Sequence, residues 1–110
     1  MHIIEVGVMM LSGGKGCANM DKIILERALK KWGRESQFSM LIEELSELIQ
    51  AICKARRYLG VRSSLMDNVC EEIADVKIVI AQVETDPSYK KEIDKWVIIK
   101  MDRLASLLDK

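Results

Sequence analysis

The chain has 110 residues, with 17 basic and 17 acidic side chains and a formal net charge of zero. That length suits one small domain with a modest core, so self-association is expected. The balanced charge argues against a binder of nucleic-acid polymers or membrane surfaces, and no apolar stretch is long enough to cross a bilayer.

Residues 1–19 read as an N-terminal extension ahead of a helical domain over 20–110. The apolar part of the extension is interrupted by Glu5 and lacks a basic start, which makes a poor signal peptide. Gly13-Gly14-Lys15-Gly16 has neither the spacing nor the following Ser/Thr of a phosphate loop. A purine-rich codon run resembling a ribosome-binding site can encode it, three codons before Met20. The expectation is therefore a native start at Met20, with the first nineteen residues read from upstream. A natural peptide mapping ahead of Met20 would refute this. Cys17, Cys53 and Cys70 are widely spaced and read as free thiols of a reducing cytoplasm.

Four helical segments follow. The first spans about Asp21 to Lys31 with Ile23, Ile24, Leu25 and Ala28 as its apolar stripe, and Trp32-Gly33 ends it. The second begins near Ser36 or Ser39 and runs to about Tyr58. Its stripe is Leu41, Ile42, Leu45, Leu48, Ile49 and Ile52. Gly60 stops it, and Ser63 or Ser64 caps a third helix reaching about Glu84, with Val69, Ile73, Val76, Ile80 and Val83 as core. Asp86-Pro87 is a strong helix start, and the fourth segment uses Ile93, Trp96, Val97, Leu104 and Leu108. The expected class is all-α, most simply a four-helix bundle.

Two of these segments carry paired acids. Glu44 and Glu47 are three apart on the second, and Glu72 and Asp75 are three apart on the third. Residues so spaced share a helix face, where like charges cost roughly 0.2–0.5 kcal/mol per pair in an isolated helix. Burial without compensation costs far more. If the two helices pack antiparallel, four carboxylates meet in one cleft, an oxygen-donor set suited to Mg²⁺ or Mn²⁺. No His or Cys lies in either motif, which disfavours zinc, and His2 is the chain's one histidine, which nearly excludes triad chemistry. A metal in such a cleft can activate a water for attack on phosphorus and neutralise a leaving pyrophosphate. Glu43 is the spare carboxylate to orient or deprotonate that water. The competing reading is a solvated acidic face paired with Lys and Arg.

The arrangement Glu43-Glu44-x-x-Glu47, then Glu72-x-x-Asp75 after residues 48–71, resembles the MazG-like nucleotide pyrophosphohydrolases of the all-α NTP pyrophosphatase superfamily. Trp32-Gly33, Gln37, the run from Ile42 to Arg57, the run from Glu71 to Val83 and Lys100-x-x-Arg103-Leu104 extend the likeness to the short, single-domain type of bacteria and phages. By matching position, the resemblance implies Mg²⁺ ligands at Glu44, Glu47, Glu72 and Asp75. It implies cleavage of a nucleoside triphosphate between the α and β phosphates. It also implies a homodimer or homotetramer in which neighbouring subunits complete the helical bundle and the pocket.

Other residues are candidates for holding substrate. Lys54 follows Glu47 by seven positions and can reach a phosphate oxygen or simply complement the helix end. Arg57, Lys100 and Arg103 are phosphate ligands or solvated charges. Gln37 can read a base edge, and Trp32 can stack on a base or serve as core or interface. Gln82, seven beyond Asp75, shares the acids' face and can brace them. The leading expectation is a cytoplasmic, Mg²⁺-dependent nucleoside-triphosphate pyrophosphohydrolase. Its rivals are a related enzyme for dUTP/dCTP-type nucleotides, phosphoribosyl-ATP or an alarmone, and a non-catalytic nucleotide-binding helical oligomer.

Overall fold

The computed structural model describes residues 20–58 and 63–110. The expectations for the extension over 1–19, including the Met20 start and Cys17, and for the stop at Gly60 lie outside the described residues. Within them the chain is all-helical: α1 (Lys22–Arg57), α2 (Ser63–Val83) and α3 (Pro87–Leu108).

The sequence's first two helical segments are the two arms of α1. Gly33 divides them with φ 85° and ψ 161°, the one non-helical residue inside α1. That backbone region is essentially closed to residues with a Cβ, so glycine is what permits the bend. Asp21 starts the first arm by accepting from the backbone N–H of Ile23 at 2.9 Å and of Ile24 at 3.4 Å. Lys54, Arg56 and Arg57 occupy the last turn, the favourable end of the helix dipole for cations.

The second arm of α1 packs on α2. The inward positions of α1 are Gln37, Leu41, Glu44, Leu48, Ala51 and Ala55, alternately four and three apart. Those of α2 are Val69, Glu72, Val76, Val79 and Val83, alternately three and four apart. Both are seven-residue repeats, the pattern of two helices packed along a shared seam. The pair runs antiparallel. Glu44 sits with Glu72 and Asp75, while residues 24–32 share a cavity with Ile78 and Gln82 near the other end of α2.

A tight connection leads to α3. The Thr85 hydroxyl donates to the Gln82 carbonyl at 2.7 Å, and Asp86 N–H donates to the Val83 carbonyl at 3.2 Å. Asp86 caps α3 by accepting from both the N–H (2.9 Å) and the hydroxyl (2.7 Å) of Ser88, and it is ion-paired to Arg34. Arg34 also lies over the Tyr89 ring, 5.1 Å from its centroid, and Phe38 meets Tyr89 edge-on at 5.9 Å. The start of α3 is thus fastened to the bend in α1.

The core departs from the expected one. Buried apolar side chains among the described residues are Ala51, Val69, Val76, Val79 and Val83. Ile42, Leu45, Ile49 and Ile52 face outward on α1, Ile73 and Ile80 do so on α2, and α3 buries none of its residues. The physical reason is that α1 carries two adjacent stripes one residue out of phase. The inner stripe, with Gln37 and Glu44 in it, meets α2; the outer and more apolar one is left exposed. Ile23 and Ile24 are likewise exposed on the first arm. No helix among the described residues is long and apolar enough to cross a membrane.

Candidate metal centre

One layer of the α1–α2 seam is acidic. Glu44 is 0 % exposed, Glu72 4 % and Asp75 6 %. Each offers a carboxylate oxygen to a group whose members all lie within 4.8 Å of one another. The helical repeat explains the convergence. Glu72 and Asp75 are three apart, so they stand on the same face of α2, and the seam sets Glu44 opposite them. At that separation and an effective dielectric constant of about 20, each pair of ionised carboxylates repels by roughly 3–4 kcal/mol. A cation held in that layer would offset this repulsion.

The donor set fits a hard divalent cation. All three donor atoms are carboxylate oxygens, with no thiol or imidazole among them, a set that suits Mg²⁺ or Mn²⁺ and not zinc. The three carboxylate oxygens lie within 4.8 Å of one another, close enough for the three side chains to share one small cation.

The other predicted site residues divide into two groups. Glu47 is half-buried one turn along α1 and stands outside the three-carboxylate group; Glu43 is exposed. Gln37 is 0 % exposed, and among the described residues neither its amide nitrogen nor its amide oxygen has a hydrogen-bond partner. Gln82, 5 % exposed, has no partner for its Oε1 among the same residues. Trp32, 44 % exposed, sits beside the Gly33 bend and lines a cavity together with Gln82. Lys54, Arg57, Lys100 and Arg103 are all exposed: the first two on the final turns of α1, the latter two on α3, where Lys100 lies over the Trp96 ring at 5.9 Å.

The sequence reading passed over Arg27 and Lys31, which line the same cavity as Trp32. Their spacing of four, on the arm that ends in Trp32, was the available signal. Arg34 was also passed over. Nothing in the sequence pairs it with Asp86, 52 residues away.

Compared with family models, curated proteins and solved structures, the chain gives no match in any of the three.

Proposed function

We propose that the protein is a Mg²⁺-dependent nucleoside-triphosphate pyrophosphohydrolase, cleaving between the α and β phosphates to release a monophosphate and pyrophosphate. The observation that carries the reading is the buried layer of Glu44, Glu72 and Asp75 across two helices. The likeness of its motifs to MazG-like enzymes supplies the reaction class. Mn²⁺ is an acceptable substitute on the same donor chemistry.

When bound, the metal neutralises phosphate charge and makes a water more acidic. The chain's own part is to hold and to orient. Glu44 approaches from α1, and Glu72 and Asp75 approach from α2. Of the two remaining acids, Glu47 is half-buried one turn from Glu44, and Glu43, the acid offered by the sequence to orient or deprotonate the water, is exposed. Exclusion of water from the seam strengthens each of these interactions.

The same reading makes the active form a homodimer or homotetramer. Ile42 and Ile49 are 69 % and 61 % exposed on the outer stripe of α1. Trp96, Val97, Met101 and Leu104 make a second apolar face on α3. An apolar surface that extensive marks a site of protein association. A second copy laid against it would complete the bundle that one chain leaves open.

The test is pyrophosphate release from ribo- and deoxyribonucleoside triphosphates with Mg²⁺, Mn²⁺ or EDTA. Metal-dependent release with monophosphate as co-product is the expected result. Phosphate release in place of pyrophosphate, or turnover unaffected by EDTA, would overturn the assignment.

A further inference from the structure

We infer that the cavity between the first arm of α1 and the end of α2 receives a nucleobase, with Gln82 reading the base's hydrogen-bonding edge. This rests on the nucleotide reading above and adds a specificity-determining residue to it. The cavity holds about 520 Å³ and is lined on one side by Arg27, Lys31 and Trp32 and on the other by Ile78 and Gln82. None of its lining residues is acidic.

Three observations point to a base. First, Gln82 Oε1 is buried with no donor among the described residues. Such a group costs about 1–3 kcal/mol until something hydrogen-bonds to it. The terminal torsion of a glutamine is broad and roughly two-fold, so the amide can turn either its acceptor or its donors to the cavity. A primary amide pairs in bidentate fashion with an adjacent donor and acceptor, the arrangement found along a base edge. Second, Trp32 supplies a large, half-exposed aromatic ring in the same wall. Base stacking on such rings contributes about 1–3 kcal/mol.

Third, the distance is right. Gln82 follows Asp75 by seven residues, which is two helical turns on the same face and roughly 10.5 Å along the axis. A nucleoside separates its base edge from its phosphates on that scale. Gln37 repeats the arrangement on α1, seven residues before Glu44, fully buried and with both amide atoms unpartnered among the described residues. Because the helices run antiparallel, both glutamines lie on the same side of the acids. Phosphates at the acidic layer and a base toward Gln82 therefore follow from one register.

The experiment is an NMR titration of the metal-free full chain in EDTA, following the two tryptophan indole N–H signals. The probes are adenosine, cytidine, guanosine, uridine and ribose, and a Trp32→Phe variant assigns the signals. Nucleosides should shift the Trp32 signal and leave Trp96 unmoved, with affinities that differ between bases, and ribose should shift neither. Gln82→Met, which keeps length and removes the amide, should lower the discrimination between bases about tenfold. Gln82→Glu, which only accepts when ionised, should turn preference toward bases bearing an amino group. Equal shifts with ribose, response at Trp96 alone, no binding, or base discrimination unchanged in both variants would each overturn the inference. Pyrophosphate release measured in parallel separates the two readings. Hydrolysis without base-dependent binding removes the subsite and leaves the reaction; base-dependent binding without hydrolysis removes the reaction and leaves the subsite.

Discussion

Replacing Glu44 by Gln removes one charge from a layer in which three buried carboxylates offer oxygens within 4.8 Å of one another. Glu44 takes part in two of the three pairwise repulsions. At an effective dielectric constant of about 20 these amount to roughly 3–4 kcal/mol each when all groups are ionised, about 7 kcal/mol together before the attractive contacts of each acid are set against them. The new amide can also donate to a neighbouring carboxylate. We expect a net gain of about 1–3 kcal/mol for the metal-free protein, a rise in Tm of at least about 4 °C for a chain this size. The wild type should behave oppositely toward metal. Mg²⁺ at ten times its Kd adds about 1.4 kcal/mol by mass action, and this increment should vanish in the variant. The assay is urea or thermal unfolding at fixed protein concentration, in EDTA and in Mg²⁺, with Glu43→Gln as an exposed control. A Glu44→Gln protein less stable than wild type in EDTA, together with a wild type indifferent to Mg²⁺ and Mn²⁺, would refute a metal centre at this layer.

Further outcomes follow from the same structure. Gly33→Ala should destabilise by about 1–3 kcal/mol through backbone strain alone, since a Cβ there meets nothing within 4 Å; a change under about half a kcal/mol in urea unfolding would show that the bend is not needed. Hydrogen bonds from the Ser88 hydroxyl and N–H, together with the Arg34 charge, hold the Asp86 carboxyl below its ordinary 3.8. A lowered folded pKa contributes stability above the unfolded value and loses it as pH falls through the folded one. The stability gap between wild type and Asp86→Asn should accordingly be full at neutral pH and close on the acid side of 3.8, and a gap that widens in acid would contradict it. Ile42→Glu with Ile49→Glu should convert an oligomer to monomer in light scattering while leaving helical circular dichroism intact; an unchanged mass would place the interface elsewhere. Asp75→Asn should abolish Mg²⁺-dependent pyrophosphate release, and retained turnover would remove this residue from the site.

Helices were legible where local chemistry decides them. Asp21 and Asp86 cap as their residue types predict, Pro87 starts a helix, and Gly33 breaks one. The direction each helix faces was harder to read. Hydropathy ranks Ile42 and Ile49 above Glu44, yet Glu44 is buried and both isoleucines are exposed. The buried position follows from the seven-residue repeat of Gln37, Glu44 and Ala51, a pattern that apolar periodicity cannot display because two of its members are polar. The acids at Glu44, Glu72 and Asp75 were found by spacing. Glu47 shares that spacing but stands outside the group, because the α1–α2 register, which a single helix does not encode, selects which turn faces the partner. Val79, the most buried apolar residue, was missed for the same reason: its neighbour Ile80 is the stronger hydrophobe.

Among the described residues α3 is fastened by its first turns, which gives this helix the mechanics of a lever. Asp86 and Tyr89 grip the bend in α1, and Lys90, Lys91 and Asp94 border the nearby cavity, while everything from Lys95 to Leu108 is exposed. In an isolated chain, amide-exchange protection should fall steadily from Tyr89 toward Leu107. A small rotation at the pivot then becomes a displacement of several ångströms at the tip, about 30 Å away along the axis. An arm held at one end in this way would take its angle from whatever surface its exposed face meets.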